Sequence, residues 1–189
     1  MMTIRAVYDA CVIYPASLRD LLLCLAEERL VAPFWSKEIQ DEWTRSLLRD
    51  RLDLKRERLE RTCEEMNLNF PDSLVHGYEF LTTTLELPDR NDCHVLAAAV
   101  YVEADYIVTF NLKDFPKSAL APFSVEAISP DDFVLRLIQK ASHLVLKVVK
   151  KHRLGLTRPT KTVDEYLATL EKQGLPKTVA FLWEHRDDI

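Results

Sequence analysis

The sequence predicts an α/β fold, a parallel sheet flanked by helices in an α/β/α sandwich, with a C-terminal helical extension. Three observations carry this prediction. Short, largely apolar runs, Ile4 to Tyr8, Leu30 to Ala32, Tyr106 to Phe110 and Val125 to Ile128, alternate with segments of helical apolar spacing, the pattern of βαβ units. The runs are apolar nearly throughout rather than at every second position, as in strands covered on both faces. After Ser129 the pattern is helical to the end.

Ile4 to Tyr8 stops at Asp9 and reads as a buried strand. Ser17 to Arg29 sets Leu18, Leu21, Leu22 and Leu25 on one helix face. Leu30 to Ala32 is a second strand ended by Pro33, and Ser36 caps a helix that starts at Lys37. Arg45 to Glu65 continues as one or two solvated helices, with Arg45, Arg49, Arg51, Lys55, Arg56, Arg58 and Arg61 interleaved with acids. Phe70 to Glu86 stays open: Pro71 and Asp72 suit a helix start, whereas Thr82 to Thr84 favours strand or loop. Asp89 caps a helix over Arg90 to Val102, and strands follow at Tyr106 to Phe110 and Val125 to Ile128. Ser129, Pro130 and Asp132 mark the clearest helix start, with the helix running to about Lys151. KKHRLGLTRPTK then reads as a basic linker before two short amphipathic helices, Val163 to Gln173 and Pro176 to Glu184. The predicted division is residues 1–128 for the sheet domain and 129–189 for the helical extension.

Composition excludes several classes. With 189 residues and 48% hydrophobic content the chain can bury a core, and a net charge of -5 neither requires nor forbids a nucleic-acid partner. Gly77, Gly155 and Gly174 are the three glycines, so GxGxxG, GxxxxGK[ST] and GxSxG are all absent. Cys11, Cys24, Cys63 and Cys93 form no CxxC pair, which favours reduced thiols in a cytoplasmic protein over a disulfide frame. The N-terminus lacks a signal-peptide core, and no window reaches the ~18 apolar residues of a membrane span.

The acids show a pattern. Asp9 ends the first strand, Asn111 and Asp114 follow a later one, and Asp92 stands at a helix start. Glu42 lies about a turn and a half into its helix. In a parallel sheet these positions converge on the crevice beyond the strand carboxyl ends. Two carboxylates ~4 Å apart repel by ~1 kcal/mol in water and by ~4 kcal/mol at an effective dielectric of ~20. A hard divalent cation, Mg²⁺ or Mn²⁺, removes that penalty and suits oxygen ligands. Each acid also has an ordinary reading: Asp89 and Asp92 as capping residues, Glu42 as a solvated helix acid, and Asp114 as a turn residue. His94 reads as a packing or capping residue, and no paired His or Cys spacing points to zinc.

The order VYDACVIY, EIQDEW, LPDRNDCHVLAAA and IVTFNLKDFP resembles the PIN domain, the nuclease fold of VapC-type toxins, over about Thr3 to Ser129. The tail from Ser129 to Ile189 is similar to the helical extension of some members. The resemblance implies Asp9, Glu42 and Asp92 as core metal ligands. Many PIN domains have an Asp where Asn111 stands, so Asn111 or Asp114 completes the shell and Asp114 joins the catalytic acids. Glu38 and Asp41 are second choices on the same helix. The implied activity is Mg²⁺- or Mn²⁺-dependent endoribonuclease hydrolysis in the cytoplasm, leaving 5′-phosphate and 3′-hydroxyl ends. A cognate antitoxin, an RNA substrate and a homodimer are implied partners, with no membrane. Arg5, Arg19, Arg45, Arg49, Arg90 and Lys113 are candidates for RNA contact. Lys147, Lys150, Lys151, Arg153, Arg158 and Lys161 could form a clamp in the tail. The alternative is a non-catalytic PIN-like RNA- or protein-binding module with an incomplete metal site, which Asn111 motivates. An aspartyl-phosphate phosphatase is disfavoured because Asp9-Ala10-Cys11 lacks a second Asp.

Overall fold

Five short strands, β1 (Ile4–Tyr8), β2 (Val31–Ser36), β3 (Leu74–Val75), β4 (Tyr106–Val108) and β5 (Glu126–Ile128), form one parallel sheet in the order β3-β2-β1-β4-β5. The computed structural model describes residues 3–157 and 159–189. The helices in chain order are α1 (Ala10–Ile13), α2 (Ala16–Glu27), α3 (Lys37–Asp50), α4 (Arg56–Asn69), α5 (Glu79–Thr82), α6 (Cys93–Tyr101), α7 (Lys117–Leu120), α8 (Pro130–Gly155), α9 (Val163–Lys172) and α10 (Pro176–Glu184). The chain divides into two compact units. The first joins the stretch up to Tyr14 to Ala32–Ile128, and the second joins Pro15–Val31 to Ser129–Ile189.

In the first unit the strand order reverses at β1, with β2 and β3 on one side and β4 and β5 on the other. Ala6, Val7 and Tyr8 pair with Tyr106, Ile107 and Val108, so Asp9 and Thr109 leave the sheet side by side. The Asp9 N–H still donates to the Val108 carbonyl at 3.1 Å. Helix α6 packs against both β1 and β4. All seven residues from Cys93 to Ala99 are buried, which accounts for a run without charge: a helix covered all round has no polar face to present.

Several element boundaries differ from the sequence expectation. Strand β2 continues through Pro33 to Ser36. On its β3 side the pairing involves only Trp35 and Ser36, so the N–H that Pro33 lacks falls before that ladder begins. Ser36 then caps α3 as expected, its Oγ accepting from the Ile39 N–H at 3.1 Å. Phe70 to Glu86 resolves into the two-residue β3 and the single turn of α5. Asp89 caps a 3-10 turn over Arg90–Asp92, with α6 proper beginning at Cys93. Strand β4 ends at Val108, because the Thr109 hydroxyl accepts from the Asn111 N–H at 2.9 Å and turns the chain.

The second unit is helical. Leu18, Leu21, Leu22 and Leu25 of α2 are buried, as their spacing predicts, and α2 packs against α8 and α9. Ser129 caps α8 by accepting from the Asp132 N–H at 3.1 Å. Helix α8 breaks at Ala141, where φ is -158° and ψ is 58°, with no Pro or Gly in the sequence beside it. It runs on to Gly155, so much of the expected basic linker is helix. Within it Lys147 pairs with Glu28 at 3.5 Å and Lys151 with Glu27 at 3.2 Å, while Arg153 donates to the carbonyls of Lys161 and Ile189. These partners give Lys147, Lys151 and Arg153 structural work in this unit; Arg158 lies outside the described residues. Thr162 and Glu165 form a reciprocal capping box on α9, and Gly174 makes the turn to α10 with φ 82°.

Asp131 ties α8 to α10. It is buried, and its two carboxylate oxygens accept from the backbone N–H groups of Lys177 and Thr178 at 2.9 and 2.8 Å. Replacing it leaves two amide donors at a helix start without their acceptor. Asp131→Ala is therefore expected to cost about 1–3 kcal/mol, measured by urea denaturation monitored through helical circular dichroism.

Candidate active site

A cleft of about 510 Å³ opens where β1 and β4 release the chain at their carboxyl ends. Asp9, Glu42, Asp92 and Asn111 all line it. This is the switch point of the strand order, where two neighbouring strands send their connections to opposite sides and leave a crevice.

Asp9 is 4% exposed. Its Oδ2 accepts the Thr109 hydroxyl at 2.6 Å and the Cys11 thiol at 3.1 Å. Because the Thr109 oxygen also accepts from Asn111, its proton is directed at Asp9 and the carboxylate is fixed in place. Burial and the Asp9 charge push the Cys11 thiol up to about 12, so it stays a neutral donor. Neither Thr109 nor Cys11 was a candidate site residue from sequence. Both become legible only through the register that sets β1 beside β4.

Glu42 is held from the other side of the cleft. His94, 3% exposed and the second residue of the uncharged run, places Nε2 3.1 Å from Glu42 Oε1. Its Nδ1 lies 3.7 Å from Glu38 Oε2. Burial pushes His94 down, but the Glu42 hydrogen bond and the charges of Glu42, Glu38 and Asp9 outweigh it and raise the ring above its ordinary value. The packing role expected for His94 thus includes orienting a site carboxylate. Glu38 serves the same histidine, whereas Asp41 pairs with Lys37.

Asp92 stands at the start of α6 and makes no capping hydrogen bond with its side chain. Its carboxyl is pushed up to about 6, first by burial and then by the charges of Asp9, Asp89, Asp114 and Glu42. Asp89 does cap, accepting from the Asn91 N–H at 2.9 Å. Asn111 is exposed at the cleft; Asp114 is half-buried and outside the lining, though its charge reaches Asp92. Among the described residues no three Asp, Glu, His or Cys side chains stand within mutual ligating distance, so these acids meet through their fields rather than through shared contacts.

Asp9, Glu42 and Asp92 bring carboxylate oxygens to the cleft, and Asn111 an amide carbonyl. Oxygen groups of this kind suit hard cations such as Mg²⁺ or Mn²⁺. Positive charge brought near Asp92 would return its raised carboxyl to the ionised form. Of the basic candidates, Arg45 and Arg49 line the cleft. Arg5 donates to the Val102 carbonyl and stacks on Phe34, and Arg19 pairs with Asp20 in the other unit.

A carboxyl whose folded value lies above its unfolded one opposes folding once ionised. For Asp92 this penalty is absent below about pH 4 and complete above about pH 6. Asp92→Asn is expected to raise the melting temperature of the metal-free protein at pH 7 to 8. Screening at the open cleft holds the gain to about 1 kcal/mol, roughly 2–4 °C, closing as pH falls to 4. Differential scanning fluorimetry of both proteins across that pH range measures it.

Comparison with known proteins places both parts of the chain beside described families. The C-terminal domain of VapC50 matches residues 130–184. A Mycobacterium tuberculosis protein named "Putative ribonuclease VapC50" is 59% identical over 68 residues, which are 34% of this chain and 40% of that protein. The match thus spans less than half of that relative's length. No solved structure matches. No described helix is long and apolar enough to cross a membrane. The PIN domain pattern matches residues 5–113, well over half of the chain and the whole of the cleft, and the chain belongs to the PIN domain family.

Proposed function

We propose that the protein is a metal-dependent endoribonuclease that hydrolyses RNA phosphodiester bonds. One observation carries the proposal: acids from β1, α3 and the start of α6 share a single cleft, and their mutual repulsion is felt by Asp92. Asp9, Glu42 and Asp92 are the residues that would hold Mg²⁺ or Mn²⁺, with Asn111 or Asp114 completing the shell. When bound, such an ion polarises the phosphodiester and offsets the negative charge that grows as the bond breaks.

The chain's own residues supply the preparation. Thr109 fixes Asp9, and His94 fixes Glu42, so two carboxylates on different elements keep their orientation without waiting for a ligand. Buried Trp43, on the helix that carries Glu42, forms part of the cleft wall. In the reaction a water oxygen adds to phosphorus, the bond to the 3′ oxygen breaks, and the products carry 5′-phosphate and 3′-hydroxyl ends. Membership of the PIN family and the VapC50 likeness support the further reading of a type II toxin acting in the cytoplasm, as a homodimer restrained by a cognate antitoxin.

Purified protein with Mg²⁺ or Mn²⁺ is expected to cut single-stranded RNA, and Asp9→Asn or Asp92→Asn to reduce cutting by at least a hundredfold. Equal cleavage by wild type and both variants would reject the assignment. Mn²⁺ at a hundred times its Kd should stabilise the wild type by about 2.7 kcal/mol. An unshifted melting curve would instead favour a non-catalytic module. His94→Ala is expected to weaken Mn²⁺ binding about 10- to 100-fold by calorimetric titration, through release of Glu42.

A further inference from the structure

The cleft carries two kinds of charge, and α3 spaces them. Glu42, Arg45, Ser46 and Arg49 all line it, and intervals of three, four and seven residues put them on one helix face. At the rise of an α-helix, Arg45 stands about 4.5 Å and Arg49 about 10.5 Å along the axis from Glu42. The interval between the two arginines is thus about 6 Å, comparable with the spacing of successive phosphates on an extended nucleic-acid strand. Along this face of α3 the two arginines follow Glu42, with Asp50 beside Arg49.

The two arginines differ in their surroundings. Arg45 is exposed and makes no ion pair among the described residues. Arg49 Nε lies 2.9 Å from Asp50 Oδ1, and the Tyr14 hydroxyl donates to Asp50 Oδ2 at 3.1 Å, so Asp50 sits on the cleft as a local anion. Both partners of the Arg49–Asp50 pair are well exposed, at 74% and 42%, and such a pair contributes little. An incoming phosphate can take Arg49 from Asp50 at small cost. A polyanion brought to a cluster of acids also needs cations on its path, and these are the arginines the cleft offers.

We propose that Arg45, Ser46 and Arg49 form a track for the phosphates that neighbour the scissile one, with Asp50 as an internal competitor that weakens the track. The inference rests on the nuclease reading above and extends it to how the RNA backbone is held. It assigns affinity and position along the strand, not base preference, because guanidinium–phosphate contacts carry no sequence information.

The test measures binding of a fluorescein-labelled single-stranded RNA over a range of salt concentrations, in the Asp9→Asn background so that the probe is not cut. Each lost phosphate contact lowers the slope of log affinity against log salt by about 0.7. Arg45→Gln and Arg49→Gln should each flatten the slope by that amount and weaken binding severalfold at low salt. Asp50→Asn should tighten binding. Arg56→Gln, on α4 and outside this cleft, should leave the slope unchanged, and melting curves confirm that each variant is folded. Parental slopes in both cleft variants, or equal flattening by Arg56→Gln, would overturn the inference alone if the wild type still cuts RNA with Mn²⁺. Absence of both cutting and binding would overturn the nuclease reading and this track with it.

Discussion

The parallel pairing of β1 with β4 is the constraint on which the site depends. Tyr8 opposite Val108 means that the next residue of each strand, Asp9 and Thr109, leaves the sheet at the same level, and their side chains meet at 2.6 Å. A shift of one residue would turn Asp9 toward the opposite face and separate the pair. The same pairing is held by α6, which packs on both strands through seven consecutive buried residues. Because Asp92 stands immediately before α6 and His94 lies in its first turn, the helix that secures the register places one carboxylate and orients another.

The site stores electrostatic work that the remainder of the unit must offset. Asp92, with its carboxyl raised by burial and by four neighbouring acids, opposes the fold that positions it. Two bonds reduce the freedom of the other acids: Thr109 to Asp9 and His94 to Glu42. The orientation is therefore built into the protein, and a cation entering the cleft gains from charge already concentrated there. Burial of Trp35, Trp43 and the alanine-rich face of α6 supplies the apolar contribution against which this repulsion is set.

Local signals in the sequence were followed closely where nothing distant competed with them. Ser36 and Ser129 cap as their positions predict, and the leucines of α2 are buried together. Pro33 misled because the consequence of a missing N–H depends on whether a neighbouring strand is present at that residue. The basic run from Lys150 looked like a linker, yet its first half continues α8, where Lys151 pairs with Glu27, more than a hundred positions earlier, one turn beyond the Lys147–Glu28 pair. Likewise α2 groups with the C-terminal helices, a pairing across the chain that no local pattern announces.

By itself the sequence determined the alternation of strands and helices, the caps, the uncharged helix and the family signature around Asp9, Asp92 and Asn111, all of which depend on neighbours within a few residues. Tertiary structure alone decided that Thr109 and Cys11 bond Asp9, that His94 faces Glu42 and Glu38, that the Asp92 side chain makes no cap, and that Arg45 and Arg49 share a cleft with the acids. The physical reason is range. Hydrogen-bonded turns and helix faces are set by backbone geometry over one or two turns, whereas a charge takes its meaning from every other charge within several ångströms, whatever the distance along the chain.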